Sequence, residues 1–464
     1  MSPEVRGPVA KISSYPNNGS PDNAFEFLGT DPSNTSEGPT GTTETVTLST
    51  LKSVIGGAGG GGGLVDWKDL VGTYSADPTG ATSSSTALAN ACSAAVSAYP
   101  APFGLTVPPG NYLMTQGQLL PGNLIMAGAG ANGGTVTHVF NGTTFTISSS
   151  FNPSAGYLFG ITATANETAV NGPILSGFGI NGAAYTAEAV DGISITGPAF
   201  TVINLVNIVQ TSGWGINSHA LSTASPIGAD GMVWDGLTID SCVSGGVRLI
   251  YGEDSQISNV YIIGCGGDGW QLAGCDNTHF TNCRAEWNGN YGWHVTNISD
   301  GGNTYDWTYA TGYVMFTGCS TDANTQSGFR VDASWQTGQG SGTGPCVVQV
   351  NGPCFRRDGI GNNGAVGSWA GIDVNYSAVT SGNLGLPVYV QGPVVTTGPG
   401  DVTASMSPRY GVIATSTGAA PFRLTGGGLV MGFSAGSTSS GTVTNYSMAS
   451  TIDTFAGDNY NYTG

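Results

Sequence analysis

The feature that most limits how this chain can fold is a short unit, glycine followed by alternating apolar and polar residues, that returns at set intervals. It reads Gly192-Ile-Ser-Ile, Gly215-Ile-Asn-Ser, Gly246-Val-Arg-Leu, Gly269-Trp-Gln-Leu and Gly292-Trp-His-Val. Gly328-Phe-Arg-Val, Gly371-Ile-Asp-Val and Gly411-Val-Ile-Ala continue it. The intervals are 23, 31, 23, 23, 36, 43 and 40 residues, so three equal 23 and two more are 23 with insertions of 8 and 13. Upstream of the glycines a second stack aligns, with Val206, Leu237, Val260, Cys283 and Cys319 at one position and Ile208, Ile239, Ile262, Ala285 and Thr321 two later. Residues two apart on a strand share a face, so both positions point inward.

A period of 23 with several short strands in each turn predicts a parallel β-helix, in which no coil closes a core alone and each stacks on its neighbours. Glycine supports this: 76 of 464 residues is about twice the usual share, which makes the chain turn-rich. A single helix is expected at the entrance. The Ser83-Ser-Ser-Thr run is an N-cap signal, and Leu88, Ala91, Cys92, Ala95 and Val96 recur at helical spacing. The spacing places Trp270 and Trp293 inward with Val247 and Phe329, as stacked core aromatics.

Charge narrows the partners. The chain has 29 acidic against 11 basic side chains, a formal net charge of −18, and only three lysines, Lys11, Lys52 and Lys68. Nucleic-acid binding needs clustered cations to release counterions, and an anionic membrane surface needs them too, so neither is expected. No apolar run approaches the roughly 18 residues of a membrane span. The start, Met1-Ser-Pro-Glu-Val-Arg-Gly-Pro, carries charge and proline where a signal peptide has its apolar stretch, so export by the secretory route is not expected. Eight cysteines scattered over a long chain read as free thiols.

Residues 56–63 are almost pure glycine and read as a hinge, 56–64. Residues 1–55 then form a separate small unit, 65–130 the entry to the β-helix with its capping helix, 131–420 the body, and 421–464 the closing strands or a cap. Ala76-Asp-Pro-Thr-Gly80 before the helix, then Val107-Pro-Pro-Gly-Asn-Tyr-Leu and Leu119-Leu-Pro-Gly-Asn-Leu-Ile-Met-Ala-Gly-Ala-Gly130, followed by β-helical coils, resemble the pectate-lyase-like domain of bacteriophage tailspikes. The first 55 residues resemble the virion-attachment segment of tail fibres, through Gly29-Thr-Asp-Pro-Ser-Asn-Thr and Gly41-Thr-Thr-Glu-Thr-Val-Thr-Leu-Ser-Thr-Leu. The resemblance implies an all-β chain with a right-handed parallel β-helix, assembled as a homotrimer in the host cytoplasm. It also implies a place in the virion tail, with residues 1–55 on other tail or baseplate proteins and the β-helix on a host cell-surface polysaccharide. Two function classes follow, an attachment protein without chemistry and a depolymerase that cuts the glycan as a hydrolase or lyase; a secreted pectate-lyase-like enzyme is a third.

Register supplies the candidate site residues. The polar residue of each unit faces out, giving a row Ser194, Asn217, Arg248, Gln271, His294, Arg330 and Asp373, with successive members about 4.8 Å apart. Six residues before each glycine a second outward row runs Val209, Asp240, Ile263, Glu286 and Asp322. Glu286 and Asp322 fall on adjacent coils and can share a proton as acid and base. Asp240 lies two coils from Glu286, roughly 9.6 Å, near the wide limit for an inverting glycosidase. The alternative is a solvated acidic row in which Arg284 pairs with Glu286. A lyase instead needs a base such as His294 near a uronate, with Gln271 and Arg330 beside it. The excursions His219–Asp230 and Thr296–Gly312 are expected to rise as walls with Arg248, Gln271 and His294 on the floor between them. The second carries Asp300, Tyr305, Asp306, Trp307 and Tyr309, which suit a sugar or a neighbouring subunit, and Trp287 and Tyr291 fall at turns as further sugar platforms. No cofactor or metal motif is present; Glu253 and Asp276, one repeat apart, can at most hold an ion between coils.

Overall fold

The computed structural model describes residues 65–133, 140–162, 170–197, 199–219, 229–300, 303–308, 310, 312–336, 346–359, 369–375, 383–396, 410–415, 422–425, 429–430 and 444–448. The chain divides into two units, Met1–Val65 and Asp66–Gly464. The attachment segment, the hinge and most of the closing strands therefore lie outside the described residues.

The second unit is a parallel β-helix. A typical coil has three strands, Thr278–Thr281, Arg284–Glu286 and Trp293–Val295. Each pairs in parallel with its equivalents, Gln256–Ser258, Tyr261–Ile263 and Trp270–Ala273 on one side and Tyr313–Thr317, Ser320–Asp322 and Phe329–Val331 on the other. The expected rows are the observed register. Ser194 pairs with Asn217, Asn217 with Arg248, Arg248 with Gln271, Gln271 with His294, His294 with Arg330 and Arg330 with Asp373. The second row runs from Val209 through Asp240, Ile263 and Glu286 to Asp322.

The repeated glycine has a steric cause. A Cβ on Gly192, Gly215, Gly246, Gly269 or Gly292 would meet the carbonyl oxygen of the equivalent glycine one coil on, at 2.6 to 2.9 Å. Any side chain there would push the coils apart. Below the glycines lies a continuous apolar interior. Trp270 and Trp293 are fully buried and stack with centroids 4.7 Å apart and planes 4° from parallel, and Phe280 and Phe316 stack beside them at 5.0 Å. Their equivalence by coil leaves stacking as the geometry in which both rings fill the same column.

Two kinds of polar residue also enter the interior. Cys242, Cys265, Cys283 and Cys319 are buried free thiols, as expected. After them comes an amide ladder: Asn288 accepts from the Cys265 amide at 3.1 Å, Asn324 from the Asn288 amide at 3.0 Å, and Asp358 from the Asn324 amide at 3.2 Å. Burial pushes the Asp358 carboxyl up to about 7, against its hydrogen bonds from Thr321 and Asn324.

The entry helix is Ser85–Ala98, with Leu88, Ala91, Cys92 and Ala95 buried against the first coils. Val96, expected on the same face, is 61% exposed, because it has rotated past the edge of the apolar stripe by the last turn. The expected side-chain cap is not made either. Ser84 occupies the N-cap position, but its hydroxyl donates to the Asp77 carbonyl, tying the helix to the preceding turn.

Candidate functional site

The row ending in Asp373 lies on the outer face of the third strands, yet it is not an open surface. Ser194, Asn217 and Asp373 are buried, while Arg248, Gln271, His294 and Arg330 are half-buried. One arrangement recurs along it. Asp191 accepts from the Trp214 amide, one coil on, at 2.7 Å and from the Asn217 side chain at 2.8 Å. Asp268 takes the Tyr291 amide at 3.3 Å and sits 2.9 Å from His294 Nδ1. Ser327 accepts from the Ala370 amide at 3.0 Å and donates to Asp373 at 3.1 Å. In each case the residue before the glycine clamps the backbone of the next coil and the row residue beyond it.

At His294 this grows into a charged network. Its Nε2 lies 3.2 Å from Asp332 Oδ1, so two carboxylates flank one imidazole. Arg330 donates through Nε to Asp332 at 3.2 Å and through Nη1 to Asp373 at 2.5 Å. Tyr291 packs on the imidazole with centroids 4.4 Å apart, Arg330 lies over the Tyr291 ring at 5.8 Å, and Trp369 meets that ring edge-on. Gln271 donates to Asp268 at 3.3 Å.

Burial alone would lower the imidazole pKa, but the hydrogen bonds to Asp268 and Asp332 outweigh it and push it up to about 9. Asp332 responds in the opposite sense: burial would raise it, and His294 holds it down at about 2. Burial also pushes the Tyr291 phenol up to about 12. At neutral pH His294 is therefore an imidazolium and Tyr291 a neutral phenol, and neither is a general base. The lyase role expected of His294 meets this obstacle. Asp268 and Asp332, which hold the network together, lie on neither of the two rows.

The acidic row differs from the expectation as well. Asp240, Glu286 and Asp322 are each less than 5% exposed, so the row is not solvated. Glu286 accepts from the Tyr261 hydroxyl at 2.6 Å and pairs with Arg284, the partner expected in the non-catalytic alternative. Asp322 is clamped by Arg356 Nη2 at 2.5 Å and by Arg357 Nε at 2.6 Å. Burial would raise its pKa, but the two guanidiniums hold it below the usual carboxylate range. Glu286 and Asp322 are therefore each matched to cations, Arg284 for the first and Arg356 with Arg357 for the second. Asp240 is separated from Glu286 by Ile263 and accepts from the Ser241 hydroxyl at 2.7 Å.

The second insertion folds as a short antiparallel hairpin, Ile298–Asp300 with Asn303–Tyr305, and is joined through Asn297 and Ser334 to a two-stranded antiparallel pair from more distant parts of the chain, Ser334–Gln336 with Asn383–Gly385. Trp307 is fully buried and donates to the Thr296 carbonyl at 2.9 Å, so it is a core residue and not a sugar platform. Tyr305 is buried too, against Ile250, Tyr251, Ala273 and Ile298. The insertion bends back and buries its own apolar side chains. Asp306 is half-buried and accepts from the Thr308 amide at 3.0 Å, which shapes the turn. Of the first insertion, His219–Asp230, residues 220–228 lie outside the described residues, as does Tyr309.

Trp287 behaves as expected of a surface aromatic. It is 43% exposed at a corner where the backbone is left-handed, φ 54°. The Arg357 guanidinium lies over its ring at 5.5 Å. Glu253 is stacked between Asp230 and Asp276 on adjacent coils, but among the described residues no group of His, Cys, Asp or Glu is placed to hold a metal ion.

No family model and no curated protein sequence matches this chain. Among solved structures, it is similar to the A-module of the mannuronan C-5 epimerase AlgE4 of Azotobacter vinelandii, with 13% identity over 84% of this chain and 100% of that one, at TM-score 0.47. It is similar to the Dettilon tailspike protein, with 13% identity over 89% of this chain and 69% of that one, at TM-score 0.46. Against full-length tailspike protein 2 of Escherichia coli O157:H7 bacteriophage CAB120 the identity is also 13%, and 83% of this chain spans 46% of that longer one at TM-score 0.53. That likeness is one of fold: the chain is a parallel β-helix of the kind found in a phage tailspike.

Proposed function

We propose that this chain is a phage tail protein that attaches to a host surface by binding a polysaccharide along the His294–Arg330 face, without cutting it. The observation that carries the reading is the electrostatic state of that face. Each charged group on it is matched by an opposite one, with Asp268, His294, Asp332, Arg330 and Asp373 in an unbroken chain. Such a network presents fixed donors and acceptors to sugar hydroxyls, but supplies neither a base nor a proton-sharing acid pair. Likeness in fold to the CAB120 tailspike supports the setting, and the resemblance of the entry sequence implies a homotrimer assembled in the host cytoplasm and joined to the tail through residues 1–55.

The test is to incubate the purified chain with capsule and lipopolysaccharide fractions from a panel of bacterial strains. Saturable binding with unchanged polymer length is expected. Arg330→Ala should weaken it by about tenfold or more, since hydrogen bonds to charged groups contribute roughly 1.5–3 kcal/mol. Release of new reducing ends or of an unsaturated uronate would refute the non-catalytic reading; cleavage that persists in Glu286→Gln would also remove that residue from the chemistry. A monomeric mass under native conditions would refute the trimer.

A further inference from the structure

The corner that carries Trp287 is a different place from the His294 face, and its geometry is costly to maintain. The positions equivalent to Trp287 on neighbouring coils are Gln210, Ser241, Gly264, Ala323 and Arg357, and all have positive φ. A bulky aromatic in this backbone region is strained by the order of 1–3 kcal/mol and persists only where its surroundings hold it there. Burial offsets this only in part, because Trp287 is 43% exposed. The Trp287 amide donates to the Asp322 carbonyl of the next coil at 2.9 Å, which holds the backbone, and Arg357, two coils on, holds the ring with its guanidinium over the indole. Arg357 is itself fixed by two hydrogen bonds to Asp322, at 2.6 and 2.5 Å.

The rest of the corner is rich in donors. Arg356, two coils on and 40% exposed in its side chain, shares Asp322 Oδ2 with Arg357, while Arg284, 49% exposed, pairs with Glu286 and lies over the Tyr261 ring of the preceding coil at 5.6 Å. Two of the few cations in a chain of net charge −18, Arg356 and Arg357, thus meet at one carboxylate oxygen beside an exposed indole. A pyranose stacks its apolar face on such a ring, and guanidiniums recognise planar oxygen acceptors such as a carboxylate or an amide carbonyl.

We propose that Trp287 and Arg356 form a second saccharide subsite, which takes a pyranose bearing an oxygen-acceptor substituent, a uronate carboxylate or an acetamido carbonyl. The inference rests on the polysaccharide reading and adds a separate place of contact around the corner from the His294 face. Arg357 positions the indole, and Arg356 reads the substituent.

Oxidation of tryptophan by N-bromosuccinimide, followed residue by residue by peptide mass spectrometry on the full chain, tests this. Trp67, 47% exposed, is the internal control. Sodium glucuronate and N-acetylglucosamine should each slow oxidation of Trp287 and leave Trp67 unchanged, while glucose should protect far less. The two active probes separate the carboxylate from the amide carbonyl as the preferred substituent. Arg356→Gln should weaken protection about tenfold, the loss expected for one charge-assisted hydrogen bond. Equal oxidation of Trp287 with and without every probe, or equal protection of Trp67, overturns the subsite. If polysaccharide fractions bind the chain while Trp287 stays unprotected, the attachment reading stands and the subsite fails. If the probes protect Trp287 while no polysaccharide fraction binds, the subsite stands and the attachment reading fails.

Discussion

Replacing His294 by glutamine removes the cation that joins Asp268 to Asp332, and the size of the loss can be worked out. The imidazole rises from its ordinary 6.5 to about 9 in the folded chain. At about 1.36 kcal/mol per unit this amounts to about 3 kcal/mol. The side chain is only 14% exposed, so solvent screening removes little of it. Because the folded pKa is the higher one, the stabilisation is complete below pH 6.5 and is lost as pH rises through about 9. The low value of Asp332 is the other side of the same interaction and adds nothing further. Urea unfolding of wild type and His294→Gln, followed by tryptophan fluorescence at pH 6 and pH 10, measures it. Wild type should exceed the variant by about 3 kcal/mol at pH 6, and the gap should nearly close at pH 10. A gap of equal size at both pH values would mean that His294 acts by packing alone, and no gap at pH 6 would refute the ion network.

Three further outcomes are expected. Trp293→Ala should cost about 3–5 kcal/mol in the same unfolding assay, since it empties a fully buried ring site and removes the stack on Trp270. Glu253 is pushed up to about 7 by burial and by Asp230, Asp276 and Asp254, so it opposes folding increasingly as pH rises from 4.5 through 7; Glu253→Gln should flatten that dependence and stabilise the chain at pH 8 by about 1–2 kcal/mol. Thiol titration with a disulfide reagent should find one accessible cysteine, Cys354, in the native chain, and the other seven only after unfolding.

The two outward rows were legible from spacing because a clash between glycines fixes the phase of the coils. Once Gly192, Gly215, Gly246, Gly269 and Gly292 are aligned, each side chain's face follows from the period of two. Charge state was not legible, because it depends on contacts between coils. Asp268 meets His294 26 residues on, one 23-residue coil plus three, and Asp191 meets Asn217 at the same offset. Scanning for polar pairs at that offset would have found both. Asp322 has no such regularity, since its partners Arg356 and Arg357 lie beyond an insertion in the next coil. Trp307 misled for a different reason. An aromatic in an inserted loop reads as exposed, but this loop returns to the coil and Trp307 joins the core.

The clamp shared by Asp191, Asp268 and Ser327 has a consequence for any polymer lying along the axis. Each clamp grips both the backbone and a side chain of the rung above, so the rungs can neither slide nor spread. The face acts as a ruler with graduations of about 4.8 Å. If a polysaccharide binds along this face as proposed, its chain has to follow the ruler's divisions, and a polymer whose repeat falls out of step would lose contact after a few units however well the first one fits. Selectivity on such a surface would come from length and phase, and would grow with each rung engaged.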